Sequence, residues 1–387
     1  MNPDPVNTGG SVRSRRLIAA VSAAALAWLV APTPVLALNA YIPSTVEGSV
    51  SVIDTATNTV VATITVGSQP AGVAVSPDGS RVYVTNEVSN TVSVIDASKN
   101  TVIATVSGVV PFPTGVAVTP DGSTVYVTGA GGVSVIDTTM NTVVPPTIPV
   151  GPAPVGVAVT NDGKWVYVVS EGSSTVPGSV SVISTATNTV KATIPVAGAS
   201  AVAITPDSRT AYVPVFAGSV AVIDTGTNTV KQYISAVYSA FFVAVSPEGS
   251  KVYVGDLFSA QVSVIDTGTN MVVGTAPVVA GPTGLALTPD GSKLYVANYY
   301  TDVVSVIATA TNTPIAGSPI GVGANPYALG QFIQPLILAG TRGDKDCIGD
   351  TVSALAHNYG GLAHAADALG FASVKALQDL IRAFCNG

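Results

Sequence analysis

From residue 40 onward, apolar and polar positions alternate in short runs that return every 41 to 45 residues. Residues 70–107 show one unit. Four runs follow one another: Gly72-Val-Ala-Val-Ser (a), Val82-Tyr-Val-Thr (b), Val92-Ser-Val-Ile (c) and Val102-Ile-Ala-Thr-Val (d). Each is rich in β-branched residues with roughly period-two alternation, which predicts half-buried strands. Pro77-Asp78-Gly79 separates a from b, where Pro presets a turn and Gly accepts positive φ. An Asp-Thr-x-Thr-Asn-Thr type segment separates c from d, and its short polar side chains can cap the turn backbone.

The unit recurs in phase. Its Tyr returns at 41, 83, 126, 167, 212, 253 and 295, and its Asn-Thr-Val Asn at 58, 100, 141, 188, 228, 270 and 312. Four antiparallel strands per 40–45 residues describe a propeller blade, and a lone blade has two apolar faces that only neighbours can bury. The unit at Tyr41 lacks strand a, whereas Asn325-Pro-Tyr-Ala-Leu-Gly-Gln-Phe-Ile333 supplies a solitary a-like strand after the last d. The expected fold is therefore an all-β, seven-bladed β-propeller over residues 38–334. One C-terminal strand and three N-terminal strands close the last blade and remove the open edges.

Tyr83-Val-Thr-Asn86, Tyr126-Val-Thr and Tyr295-Val-Ala-Asn298 resemble the YVTN-repeat (YncE-like) β-propeller family over about residues 40–334. The resemblance implies a seven-bladed propeller acting in the periplasm, outside the cell or on its surface. It implies less about activity, since surface-layer proteins, proposed DNA binders, lactonases and a nitrite-reductase haem domain share this architecture.

Composition adds two segments to the ring. Arg13, Arg15 and Arg16 precede an apolar run from Leu17 to Val30 and then Ala31-Pro-Thr-Pro-Val-Leu-Ala37. This reads as a secretory signal peptide over residues 1–37, by the general or the twin-arginine route. The run is short for a membrane span, and the mean hydropathy of +0.52 otherwise reflects β-core. Removing residues 1–37 takes away three of 15 basic and one of 22 acidic residues, moving the formal charge from −7 to −9. That balance disfavours nucleic acid as a partner. Residues 341–387 abandon the repeat and show helical stripes such as Val374, Leu377, Leu380, Ile381 and Phe384, which predict a small three-helix module. The two cysteines, Cys347 and Cys385, stand near its ends and are expected to form a disulfide.

Candidate chemistry is sparse. His357 and His364 both lie beyond the ring, so the propeller has no histidine for haem, a His-bound metal or a Ser-His-Asp triad. The repeated Asp residues after strand c and in the a–b turns read as turn caps. Charge is unevenly placed, however. The b–c segments carry Glu47, Glu87, Glu171, Asp256 and Asp302 and no Lys or Arg, while the basic residues belong to the a–b and c–d end. Aromatic residues, among them Phe258, Tyr299 and Tyr300, share the acidic end. Those eight residues are the candidate binding mouth, for a cation such as Ca²⁺, a basic peptide or protein, or a carbohydrate. The first functional reading is an exported, monomeric, non-catalytic binding or surface-interaction protein with no obligate cofactor and no membrane span after signal removal. The alternative is a lactonase-like hydrolase or lyase using a carboxylate-held divalent cation. A third, single-stranded nucleic-acid binding, rests on the resemblance alone.

Overall fold

The computed structural model describes residues 38–335 and 373–386, together with Val352 and Leu362. Seven antiparallel sheets follow one another along the chain. Blade 1 contains strands 70–75, 81–86, 91–96 and 101–106, and blades 2 to 5 repeat the a-b-c-d order at 116–148, 154–195, 203–235 and 240–277. Blade 6 begins at Pro282 and splits its outer strand into Thr313–Pro314 and Ile320–Gly321. Blade 7 takes strands b, c and d from Asn39–Ser44, Ser49–Asp54 and Thr59–Thr65. Its inner strand comes from the other end of the ring, through bridges of Ala40 to Ile333 and Ser44 to Pro326. The expected closure is present. Tyr41 N–H donates to Phe332 O at 2.8 Å, Tyr327 N–H to Pro43 O at 3.0 Å, and Gln334 N–H to Asn39 O at 2.9 Å.

Burial orders the strands within a blade. Strand a is buried along its whole length in blade 1 (Pro70–Val75), and strand d is exposed along most of its length (Thr101–Val106). Strand a is thus innermost and d outermost. The inner strands approach closely enough that a Cβ on Gly72 would collide with Thr114 O, and one on Gly115 with Val155 O. The Gly of the Gly-Val-Ala-Val run is a packing requirement at these two blade junctions. Apolar side chains fill the space between blades. Ala74, Tyr83, Val92 and Val94 of blade 1 pack with Val116, Val125, Val127 and Ile136 of blade 2. Corresponding clusters lie at the other junctions.

The repeated Tyr and Asn meet each other, which the repeat alone did not reveal. All seven Tyr side chains are buried. Tyr126, Tyr167, Tyr212 and Tyr295 donate their hydroxyls to Asn188, Asn228, Asn270 and Asn58 Oδ1 of the next blade at 2.5 to 2.8 Å, and Tyr41 reaches Asn100 at 3.4 Å. Each of these Asn residues holds a left-handed backbone, with φ between 50° and 56°, that suits Asn better than a branched residue. The turn-cap reading of the Asp residues also describes what is seen: Asp54 Oδ1 accepts Ala56 N–H at 2.7 Å, and Asp78 Oδ1 accepts Ser80 N–H at 3.0 Å.

The structure describes only part of the expected three-helix appendage. One helix, α1 (Val374–Asn386), is described, with Leu377 and Ile381 buried along one face. The segments expected to form the other two lie outside the described residues except for the single helical positions Val352 and Leu362. Residues 1–37, Cys347 and the side chain of Cys385 lie outside them too. Among the described residues no helix is long and apolar enough to cross a membrane.

Because the Tyr295 hydroxyl closes the seam onto Asn58, Tyr295→Phe should cost about 1 kcal/mol in urea unfolding. Tyr253→Phe is the control. Its counterpart Asn312 Oδ1 is buried without a partner, so the loss there should be near zero.

Candidate functional site

In an antiparallel a-b-c-d blade, the b–c and d–a connections share one end, and the a–b and c–d turns share the other. The residue that follows strand b, or in blade 3 stands near the end of its longer strand b (Trp165–Gly172), occupies the same place in every blade, because its N–H is hydrogen-bonded to a carbonyl of the preceding d–a loop. The seven pairs are Thr45 to Asn325, Glu87 to Gln69, Ala130 to Pro111, Glu171 to Ala153, Phe216 to Gly198, Leu257 to Ser239 and Tyr299 to Gly281, at 2.7 to 3.3 Å. The fold therefore sets Thr45, Glu87, Ala130, Glu171, Phe216, Leu257 and Tyr299 in a ring around the mouth. Two are acids and two are aromatic.

The inner strands supply what lies beneath. Where blade 1 has Ala71 and Gly72, blade 5 has Phe241 and Phe242, and the closing strand has Tyr327. Phe242 packs edge-on to Tyr327 at 5.6 Å between centroids and against Phe241 at 4.9 Å. Phe216 extends the cluster, edge-on to Phe241 at 6.0 Å and to Phe258 at 6.2 Å. Burial, and then the nearby charges of Glu87 and Glu171 and the Tyr299 phenol, push the Tyr327 hydroxyl well above the usual phenol range. Partial burial likewise raises the Glu87 and Glu171 carboxyls above the ordinary glutamate value. Glu87, Glu171 and Tyr299 thus each lie within electrostatic reach of Tyr327.

The other candidate residues are placed differently. Asp256 is the last residue of strand b in blade 5, and is completely buried. It stands where blades 1 and 6 have Asn86 and Asn298. Its Oδ2 accepts Tyr238 N–H at 3.0 Å and its Oδ1 accepts Phe258 N–H at 3.2 Å, so it holds a loop rather than facing solvent. Glu47 accepts Ala324 N–H at 3.3 Å, and Asp302 accepts Asn325 N–H at 2.8 Å. Both carboxylates secure the segment leading into the closing strand. Phe258 and Tyr300 are exposed, and Tyr300 packs edge-on to Tyr299 at 5.5 Å. Tyr327, Phe241 and Phe242 were missed from the sequence, although Phe242 stands where other units have Gly or Ala, and Phe241 and Tyr327 where they have Ala, Thr, Val or Ser.

The sequence between residues 12 and 331 matches the model of the YNCE-like beta-propeller family. The chain belongs to that family. Among solved structures, a chain of Kuenenia stuttgartiensis hydrazine synthase is 26% identical with a TM-score of 0.64, covering 70% of this chain and 92% of its own. A functionally unknown protein from Desulfotomaculum acetoxidans DSM 771 is 18% identical with a TM-score of 0.62, covering 75% and 99% respectively. A candidate 6-phosphogluconolactonase from Bacteroides fragilis NCTC 9343 is also 18% identical with a TM-score of 0.62, covering 77% and 98%. The last two similarities show the fold alone. Among curated proteins none matches.

This YNCE-like ring does not gather its acids as the Ca²⁺ expectation required. Among the described residues no group of three or more His, Cys, Asp and Glu side chains is placed to hold a metal ion. Three of the acids are already engaged: Glu47 and Asp302 accept backbone N–H groups of the segment leading into the closing strand, and Asp256 accepts those of Tyr238 and Phe258.

The role given to Asp256 separates two substitutions. Asp256→Ala leaves two loop N–H groups without their acceptor and should cost about 1–3 kcal/mol in chemical denaturation. Asp256→Asn, which restores the residue of blades 1 and 6, should retain most of that stability.

Proposed function

We propose that this protein is an exported, non-catalytic binding propeller whose mouth receives a cationic side chain from a peptide or protein partner. The observation that carries this reading is the equivalent mouth position of Glu87 and Glu171, each within electrostatic reach of the Tyr327 phenol, with Phe216 and Tyr299 at the matching positions of other blades. Two carboxylates, Glu87 half-buried and Glu171 more exposed, attract an ammonium or guanidinium group, and aromatic faces add cation–π attraction. The same arrangement repels phosphate, which weighs against nucleic acid at this end. The lactonase-like alternative depended on acids converging on a metal and gains no support from this geometry.

The pH dependence follows from the raised pKa values of the two glutamates. Each attracts a cation only when ionised. Attraction is full above the raised pKa and is lost as pH falls through it, beginning at a higher pH than an ordinary glutamate would show. A bound cation favours the ionised form, so binding near that pKa should release protons. An oligolysine peptide should bind with an affinity that falls at least about tenfold in Glu87→Gln/Glu171→Gln, while its fully acetylated form should bind neither protein. Calorimetry across pH provides the check. Equal binding by the wild type and the double variant would remove this reading.

Export rests on the sequence: Arg13, Arg15 and Arg16, the Leu17–Val30 run and the small residues up to Ala37. The periplasm, the medium or the cell surface is the proposed location, and an oxidising compartment would allow Cys347 and Cys385 to pair. The mature chain should start near Leu38 by mass spectrometry, and should take up alkylating reagent only after reduction. Alkylation of the unreduced, unfolded chain would disprove the disulfide.

A further inference from the structure

At the opposite end of the ring, a pocket of about 640 Å³ opens between blades 3 and 4. The first residue of strand b differs between blades at this end. In blades 1 and 6 the first residue of strand b is basic and reaches across to the next blade's c–d turn: Arg81 donates through Nη1 to Thr138 O, and Lys293 through Nζ to Thr55 O at 2.7 Å. In blade 3 this position is Trp165. The indole packs on the core of blades 3 and 4, and its N–H makes no hydrogen bond to another described residue. The corresponding carbonyl, Thr225 O, receives only the Tyr167 hydroxyl at 3.4 Å. No basic side chain spans the junction, and the space is lined by Trp165, Asp162, Asp207, Arg209, Asp224 and Lys231.

The charges around this space largely cancel. Lys231 Nζ lies 2.6 Å from Asp224, and Lys164 Nζ lies 3.3 Å from Asp162. What remains is one of each sign, Asp207 and Arg209. Such a lining has no net field to draw in an ion. It offers carboxylate acceptors, guanidinium and ammonium donors, and one apolar aromatic surface, in a volume typical of small-ligand sites. A neutral molecule with many hydroxyls on one side and C–H groups on another fits that chemistry.

We propose that the pocket between blades 3 and 4 binds a neutral sugar ring of a glycan. The ring packs its C–H face on Trp165, and its hydroxyls are shared between Arg209 and the flanking carboxylates. This site is independent of the mouth and lies at the other end of the ring.

The test uses the intrinsic probe. The chain contains two tryptophans, Trp28 and Trp165, so the full chain carrying Trp28→Phe reports on Trp165 alone. Neutral oligosaccharides of glucose, galactose, mannose and N-acetylglucosamine are titrated while its emission is followed. At least one should give a saturable change. Arg209 is exposed, so Arg209→Ala should keep the melting temperature while weakening that sugar about tenfold or more. Glu87→Gln/Glu171→Gln should leave the sugar affinity unchanged, which separates this site from the mouth. Three results would overturn the proposal: no saturable response to any neutral oligosaccharide, equal affinity in Arg209→Ala, or displacement of the sugar by inorganic phosphate.

Discussion

Each blade of this protein is a four-stranded sheet with apolar residues on both faces, and water cannot be kept from either face unless another blade covers it. That constraint governs everything else in the ring. It requires the sheets to stack in sequence, and it leaves the first and last sheets uncovered until they meet. The closing strand from Pro326 to Ile333 answers this by joining Asn39–Ser44 through backbone hydrogen bonds, so that the two ends of the ring share one sheet. The Tyr hydroxyl to Asn contacts then tie neighbouring blades at their a–b and c–d end, including Tyr295 to Asn58 across the seam.

A ring built on one repeated unit also gives each blade equivalent positions, and function can be written into the differences. After strand b the same backbone hydrogen bond fixes seven side chains around the mouth, and only their identities vary. Glu87 and Glu171 make that mouth acidic, Phe216 and Tyr299 make it aromatic, and Phe241, Phe242 and Tyr327 thicken its floor. On the opposite end, Trp165 holds a place that is basic, Thr or Asn in the other blades, and it lines the pocket between blades 3 and 4. Both sites use a scaffold whose stability is secured elsewhere, which is why a conserved architecture leaves activity open.

Charge alone was a poor guide to which acids face a ligand. Asp256, Glu47 and Asp302 stand in or beside the b–c loops in the sequence, like Glu87 and Glu171, yet their carboxylates are consumed by loop N–H groups. Asp256 is buried in doing so, where an unpaired backbone N–H would be costly, while Glu47 and Asp302 stay exposed but already hold an N–H. Position within the unit was more informative. Asp256 falls on the last residue of the Tyr-Val-Gly-Asp run, where Asn86 and Asn298 also hold loops, whereas Glu87 and Glu171 come one residue later.

By itself the sequence determined the strands, their order, the number of blades and the closure by the chain ends. Period-two alternation, turn residues and a seven-fold repeat are local or in-phase signals, and each blade reads the same code. The seven Tyr and seven Asn positions were equally plain, but their pairing across blades was not, because the partners lie 58 to 62 residues apart, or 237 apart at the seam. Only the tertiary structure decided which side chains share the mouth, since closing the ring brings Tyr327 from one end of the propeller within electrostatic reach of Glu87 and Glu171. It alone showed the pocket at Trp165 as well, because an inter-blade junction is assembled from two units and neither contains it.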